Sequence, residues 1–144
     1  MSIKQEIENI VAFGHENIQA IHPTTLMFTK EKHLSNTGDC IVAVGADKAL
    51  SNLSQAFKDK LKTPNYKLTV IIDAGAVNAE IIAFGSPKLI LTHSTDLVIR
   101  KSGFIDDRTL AISANKSSND LPRELIAQLK NPQQKINITL IVHC

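Results

Sequence analysis

Tryptophan is missing from this chain, tyrosine occurs once and cysteine twice. With aromatic residues at 4%, flat rings for stacking single-stranded nucleobases are scarce. Phe13 and Phe84 fall at one repeated position, whereas Phe28, Phe57 and Phe104 read as core. No apolar run approaches the ~20 residues of a membrane-crossing helix, and the N-terminus lacks the apolar stretch of a signal peptide. Neither sign of charge dominates: 16 basic residues face 14 acidic ones, a net +2 too small to argue by itself for a nucleic-acid or membrane partner. Cys40 and Cys144 do not occupy matching positions, so a disulfide framework is disfavoured and free thiols in a reducing cytoplasm are expected.

What the chain does have is a repeat. Ile10–Gly14 returns as Ile81–Gly85, and the same offset of 71 sets His22 on His93, Thr24 on Thr95 and Lys30 on Lys101. After a loop shorter by three residues the match resumes at offset 68, with Ala46, Lys48, Leu61 and Pro64 on Ala114, Lys116, Leu129 and Pro132. Over residues 7–30 and 41–74, 16 of 58 aligned pairs are identical, against roughly one in fifteen by chance from ordinary composition. The repeats run over approximately 5–74 and 76–144. Asp73–Ala76 joins them without a flexible linker, and 43% apolar residues exclude disorder. One intertwined domain over 1–144, with pseudo-twofold symmetry, is expected.

Reading both copies together predicts strands over 6–13, 24–30, 40–44 and 67–73, and again over 79–84, 95–101, 109–113 and 135–142. Leu53, Phe57 and Leu61, like Leu121, Leu125 and Leu129, recur every fourth residue and predict a helix of about three turns in each half. Ser51 or Asn52, and Asn119 or Asp120, are its expected caps, with Pro122 in the first turn. The expected class is α+β, mainly β: a doubled β-β-β-α-β unit with about eight strands in a sandwich or barrel, and two helices.

The strings Gly14-His15-Glu16-Asn17-Ile18, Thr24-Thr25, Gly38-Asp39-Cys40-Ile41, Ala46-Asp47-Lys48-Ala49, His93-Ser94-Thr95-Asp96 and Ile99-Arg100-Lys101-Ser102 occur in that order. Together they resemble the archaeal family catalogued as domain of unknown function 371, over essentially the whole chain. The resemblance implies an archaeal cytosolic protein with a β-rich fold, and no established activity or functional residue to carry over.

Polar residues kept by both copies need a reason beyond core packing. His22 and His93, meeting at a twofold axis, would serve as two donors to an anion, a proton-transfer pair or, with Asp96 or Asp39, metal ligands. Alternatively each imidazole caps a turn by bonding a backbone carbonyl. No close His/Cys spacing supports a metal, so none is assigned, and no cofactor is expected. Gly45-Ala46-Asp47-Lys48 and Ser113-Ala114-Asn115-Lys116 precede the helices as anion pockets or as Asx-turns. Arg100, Arg108 and Arg123 all lie in the second half and suit phosphate or carboxylate, or else loop-fixing ion pairs with Asp106 and Asp107. Cys40 reads as a buried thiol.

The leading function is therefore a binding module for a small phosphorylated or carboxylated ligand, or RNA backbone, near the axis. Its candidate contacts are His22, Thr24, Lys48, His93, Thr95, Arg100, Lys101, Arg108 and Lys116. An alternative is a hydrolase or transferase using His93 and Asp96 for acid–base chemistry. A third is a homo-oligomeric interaction protein without a small ligand.

Overall fold

The computed structural model describes residues 5–35 and 37–144. In chain order its first half holds β1 (Gln5–Phe13), β2 (Thr25–Thr29), β3 (Ile41–Ala43), α1 (Gln55–Leu61) and β4 (Lys67–Ala74). The second half repeats that order with β5 (Val77–Phe84), β6 (Asp96–Arg100), β7 (Thr109–Ala111), α2 (Arg123–Leu129) and β8 (Lys135–His143). The fold is α+β and mainly β. One four-stranded sheet runs β1-β8-β4-β5 and the other β3-β2-β6-β7. Single bridges, Phe13–Val44 and Phe84–Ile112, touch the sheets together at two corners. One bridge does not continue a ladder, so of the two expected architectures the closed barrel is not formed.

Registers relate the halves. In the antiparallel pair β2–β6, Met27 lies opposite Val98, its own counterpart at offset 71. In β4–β8, Ile71 lies opposite Thr139, its counterpart at offset 68. The β1–β8 register likewise maps onto β5–β4 when the halves are exchanged. Each central pair is thus centred on matched residues.

Alternation explains the first sheet: Leu68, Val70, Ile72 and Ala74 of β4 are buried, as are Ile136, Ile138, Leu140 and Val142 of β8. Residues between them face outward. β2 and β6 are buried on both faces, so Met27, Thr29, Asp96 and Val98 are covered as well. One apolar cluster joins both sheets and both helices.

The helices are shorter than the leucine spacing predicts. A 3₁₀ turn (Leu50–Asn52 or Ser118–Asp120) comes first, and the α-helix starts only after Ser54 or Pro122. Ser54 Oγ caps α1 by accepting from the Phe57 N–H, and Pro122 sits at the cap rather than in the first turn. Asn52 and Asp120 instead close the 3₁₀ turns, accepting from the Ala49 and Ser117 N–H. Phe28 and Phe57 are core, but Phe104 is 58% exposed. Its ring lies against the Arg100 guanidinium, 4.9 Å from the centroid, a cation–π contact that residue type alone does not reveal.

Candidate functional site

The histidines are placed by the strands that follow them, and antiparallel pairing sends them apart. Thr25 of β2 lies opposite Arg100, and Thr29 opposite Asp96. His22 precedes one end of this pair and His93 the other, with about 13 Å of strand between the two ends. They do not share a ligand position. His22 Nδ1 accepts the Thr24 and Thr25 N–H at 3.2 and 3.1 Å. His93 Nδ1 accepts those of Thr95 and Asp96 at 3.3 and 3.0 Å. The rings are turn caps that accept main-chain N–H groups, not donors to a carbonyl, which places the neutral ring's proton on Nε2. Each histidine carbonyl receives the 3₁₀ turn of the opposite half: Ser51 N–H on His93 O, and Asn119 N–H on His22 O.

The two lysine loops hold strands. Asp47 Oδ1 accepts the Val11 N–H and Asn115 Oδ1 the Ile82 N–H, each extending a sheet edge. That explains why this position is Asp or Asn. Lys48 Nζ bonds the Glu8 carboxylate at 2.9 Å, and Lys116 Nζ the Glu80 carbonyl at 2.7 Å. Burial pushes the Glu8 carboxyl up, but Lys48 and the Ser54 N–H outweigh it and hold it below the ordinary range.

Arg100 and Arg108 form a second network with the loop after β6. Arg108 Nε donates to Asp96 at 2.9 Å, and Thr29 Oγ1 donates to the other carboxylate oxygen at 2.8 Å. Arg100 reaches Thr109 Oγ1 and Asp106 at 3.0 and 3.1 Å. Burial acts to raise the Asp106 carboxyl, but the Arg108 N–H, the Thr109 hydroxyl and Arg100 keep it below its usual range. Asp96 is thus engaged by Thr29 and Arg108, and its link to the His93 ring runs through its main-chain N–H. The expected acid–base pair is not assembled.

Lys101 Nζ lies 2.6 Å from Asp120, as Lys30 lies 3.4 Å from Asn52 in the other half. The lysine hydrogen bond, joined by the Ser117 N–H, lowers the Asp120 pKa to about 2. A depressed folded-state pKa contributes stability that is present above the unfolded value and lost as pH falls through the folded one. Asp120→Asn should therefore flatten the stability loss between pH ~4 and ~2. Because the pair is solvent-exposed, less than about 1 kcal/mol should be lost at pH 7. Thermal unfolding across pH reads both.

Two grooves occupy matching places between a helix and the segment preceding β2 or β6. The larger, about 510 Å³, is lined by Gln19, Ile21, Arg123, Ile126, Ala127 and Lys130. The other, about 290 Å³, has Gln55, Lys58, Asp59 and Lys62 at the corresponding helix positions, against Ile90–Thr92. In the second groove Gln55 Nε2 bonds Asp59 at 2.8 Å. The first has two cations and no acid along its lining. Arg123 Nη2 is anchored on the Ala20, Asn119 and Leu121 carbonyls. The signal was in the sequence, since Arg123, Ile126, Ala127 and Lys130 share one helical face, but the opposing Gln19–Ile21 comes from the other half.

Cys40 and Cys144 are free thiols. Burial, reinforced by Asp39, pushes the Cys40 thiol up, the direction opposite to nucleophile activation. Among the described residues no group of three His, Cys, Asp or Glu side chains is placed to hold a metal, and no helix is long and apolar enough to cross a membrane.

Taken together, two open four-stranded sheets, two short helices and a pair of unequal grooves define a mainly β α+β domain whose repeated polar residues brace the backbone. The chain belongs to the family described as a domain of unknown function (DUF371), which matches residues 10–143. It is 46% identical over 127 residues to an uncharacterized protein of Methanocaldococcus jannaschii, an alignment covering 88% of this chain and 93% of that one.

Proposed function

We propose that the protein is a binding module and that its ligand is a small phosphorylated or carboxylated molecule with an apolar part, held in the α2 groove. The observation that carries this reading is the charge of the groove: Arg123 and Lys130 line it with Ile21, Ile126 and Ala127 and without a carboxylate. Its volume of about 510 Å³ is in the range of small-molecule clefts. The cations first singled out, Lys48, Arg100, Lys101 and Arg108, each already face a carboxylate of the chain itself. That moves the reading away from the expected twofold axis and toward the surface of α2. RNA backbone fits less well, because aromatic residues are at 4% and phosphate tracking alone calls for a broader basic surface. An acid–base enzyme would need His93 and Asp96 released from their present partners.

Titration with inorganic pyrophosphate and with citrate, followed by amide chemical shifts, tests the proposal. Shifts are expected at Gln19–Ile21 and along α2. Lys130→Gln is expected to weaken binding about tenfold, the ~1.4 kcal/mol of one charge-assisted contact. Arg123→Gln should do the same, with some loss of stability because that guanidinium also holds three carbonyls. Shifts centred on His22 and Lys101 instead, or affinity indifferent to Lys130→Gln, would discard the α2 groove.

A further inference from the structure

The two edges of the β1-β8-β4-β5 sheet are finished differently. Alternate residues of an antiparallel strand turn both main-chain groups away from their neighbour. On β1 these are Gln5, Ile7, Asn9, Val11 and Phe13, because Val11 and Phe13 direct theirs to Asp47 and Val44. On β5, Phe84 is bonded to Ile112, Ile82 to Asn115, and the Glu80 carbonyl to Lys116 Nζ. A lysine on an edge carbonyl is a natural block against strand addition. The matching Lys48 turns to Glu8 instead. Among the described residues, β1 forms a ladder with β8 alone, Phe13 adding a single bridge to Val44, and the outward main-chain groups of Gln5, Ile7 and Asn9 meet no main-chain partner.

We propose that Gln5–Asn9 accepts an added strand from a partner protein: an extended segment with an apolar residue beside Ile7 and basic residues on the Glu6 side. Ile7 is 50% exposed and begins a row, Ile7–Ile141–Thr69–Ile82, running across the open face of the sheet. An apolar residue of the added strand lengthens that row. Glu6 enters none of the ion pairs among the described residues. Charge also selects against a second copy of this chain. Every antiparallel self-register that pairs two or more of Gln5, Ile7 and Asn9 sets glutamate against glutamate, and like charges directly opposite destabilise a sheet. A basic segment meets no such penalty, and main-chain bonds supply the affinity.

The probe is a short synthetic peptide alternating lysine and valine, with a glutamate–valine peptide as control, and the readout is amide hydrogen exchange in the intact chain. The basic peptide is expected to slow exchange at Ile7 and Asn9 about tenfold, and the acidic one to leave it unchanged. Ile7→Pro removes an outward N–H without removing a bond to β8. It should abolish the slowing while Ile10 stays protected. Glu6→Lys, which leaves the main chain intact, should abolish it too. Unchanged exchange with the basic peptide, equal slowing by the acidic one, or slowing that follows protein concentration alone would overturn the proposal, the last by showing that the chain pairs with itself.

Discussion

Asp96→Ala is expected to lower the unfolding free energy by about 3 kcal/mol, and the thermal midpoint by roughly 6–12 °C. Asp96 is 8% exposed, and its carboxylate accepts the Thr29 hydroxyl and the Arg108 guanidinium. Those two partners contribute unequally. The Arg108 side chain is 40% exposed, so its charge returns to water and its share is small. Thr29 is buried; its hydroxyl loses its acceptor and a small void opens beside it. Asp96→Asn retains an acceptor for Thr29 and should cost only about 1 kcal/mol. Arg108→Ala, which leaves the buried Asp96 carboxylate with Thr29 as its side-chain partner, should cost about 1–2 kcal/mol. Urea unfolding of the three variants orders them. If Asp96→Ala and Arg108→Ala proved equal, the exposed ion pair rather than the buried hydroxyl would be the source of stability.

Gly85→Ala is expected to be as damaging, about 3 kcal/mol. The cause is space and not conformational freedom. A Cβ on Gly85 would press into the carbonyl group of Leu61, the last residue of α1. Neither β5 nor the end of α1 can yield without disturbing the other, because the Gly85 N–H donates to Tyr66 O just beyond the helix. Gly14 stands in the same relation to α2, where an added Cβ would meet the Leu129 and Asn131 carbonyls. Gly14→Ala should therefore match Gly85→Ala. Gly103→Ala, with nothing within 4 Å of its Cβ, should change stability by less than about 0.5 kcal/mol. Thermal midpoints decide it; a Gly85 variant as stable as the Gly103 variant would mean the helices do not rest on these strand ends.

Local signals led to the elements. β4 and β8 alternate because one face meets the core and the other does not, and such a period is visible in any window of a few residues. The helices start later than the capping residues suggest, because Asn52 and Asp120 close a preceding 3₁₀ turn. Phe104 lies outside the core because a guanidinium supplies its partner, which hydrophobicity does not reveal. His22 and His93, like Asp47 and Asn115, each accept main-chain N–H groups. Which N–H groups await an acceptor depends on how each turn bends.

From the residue order alone follow the succession of strands and helices and the apolar positions that fill the core. These are short-range properties: a strand's period and a proline's steric demand act within a few residues. The pairing of β2 with β6 was decided by tertiary structure, and with it the separation of the two imidazoles. So were the commitment of each singled-out lysine and arginine to an internal partner and the meeting of α2 with Gln19–Ile21 to form a cationic groove. Those outcomes arise from contacts between residues up to about a hundred positions apart, where strand direction and register, and not residue type, determine which side chains meet.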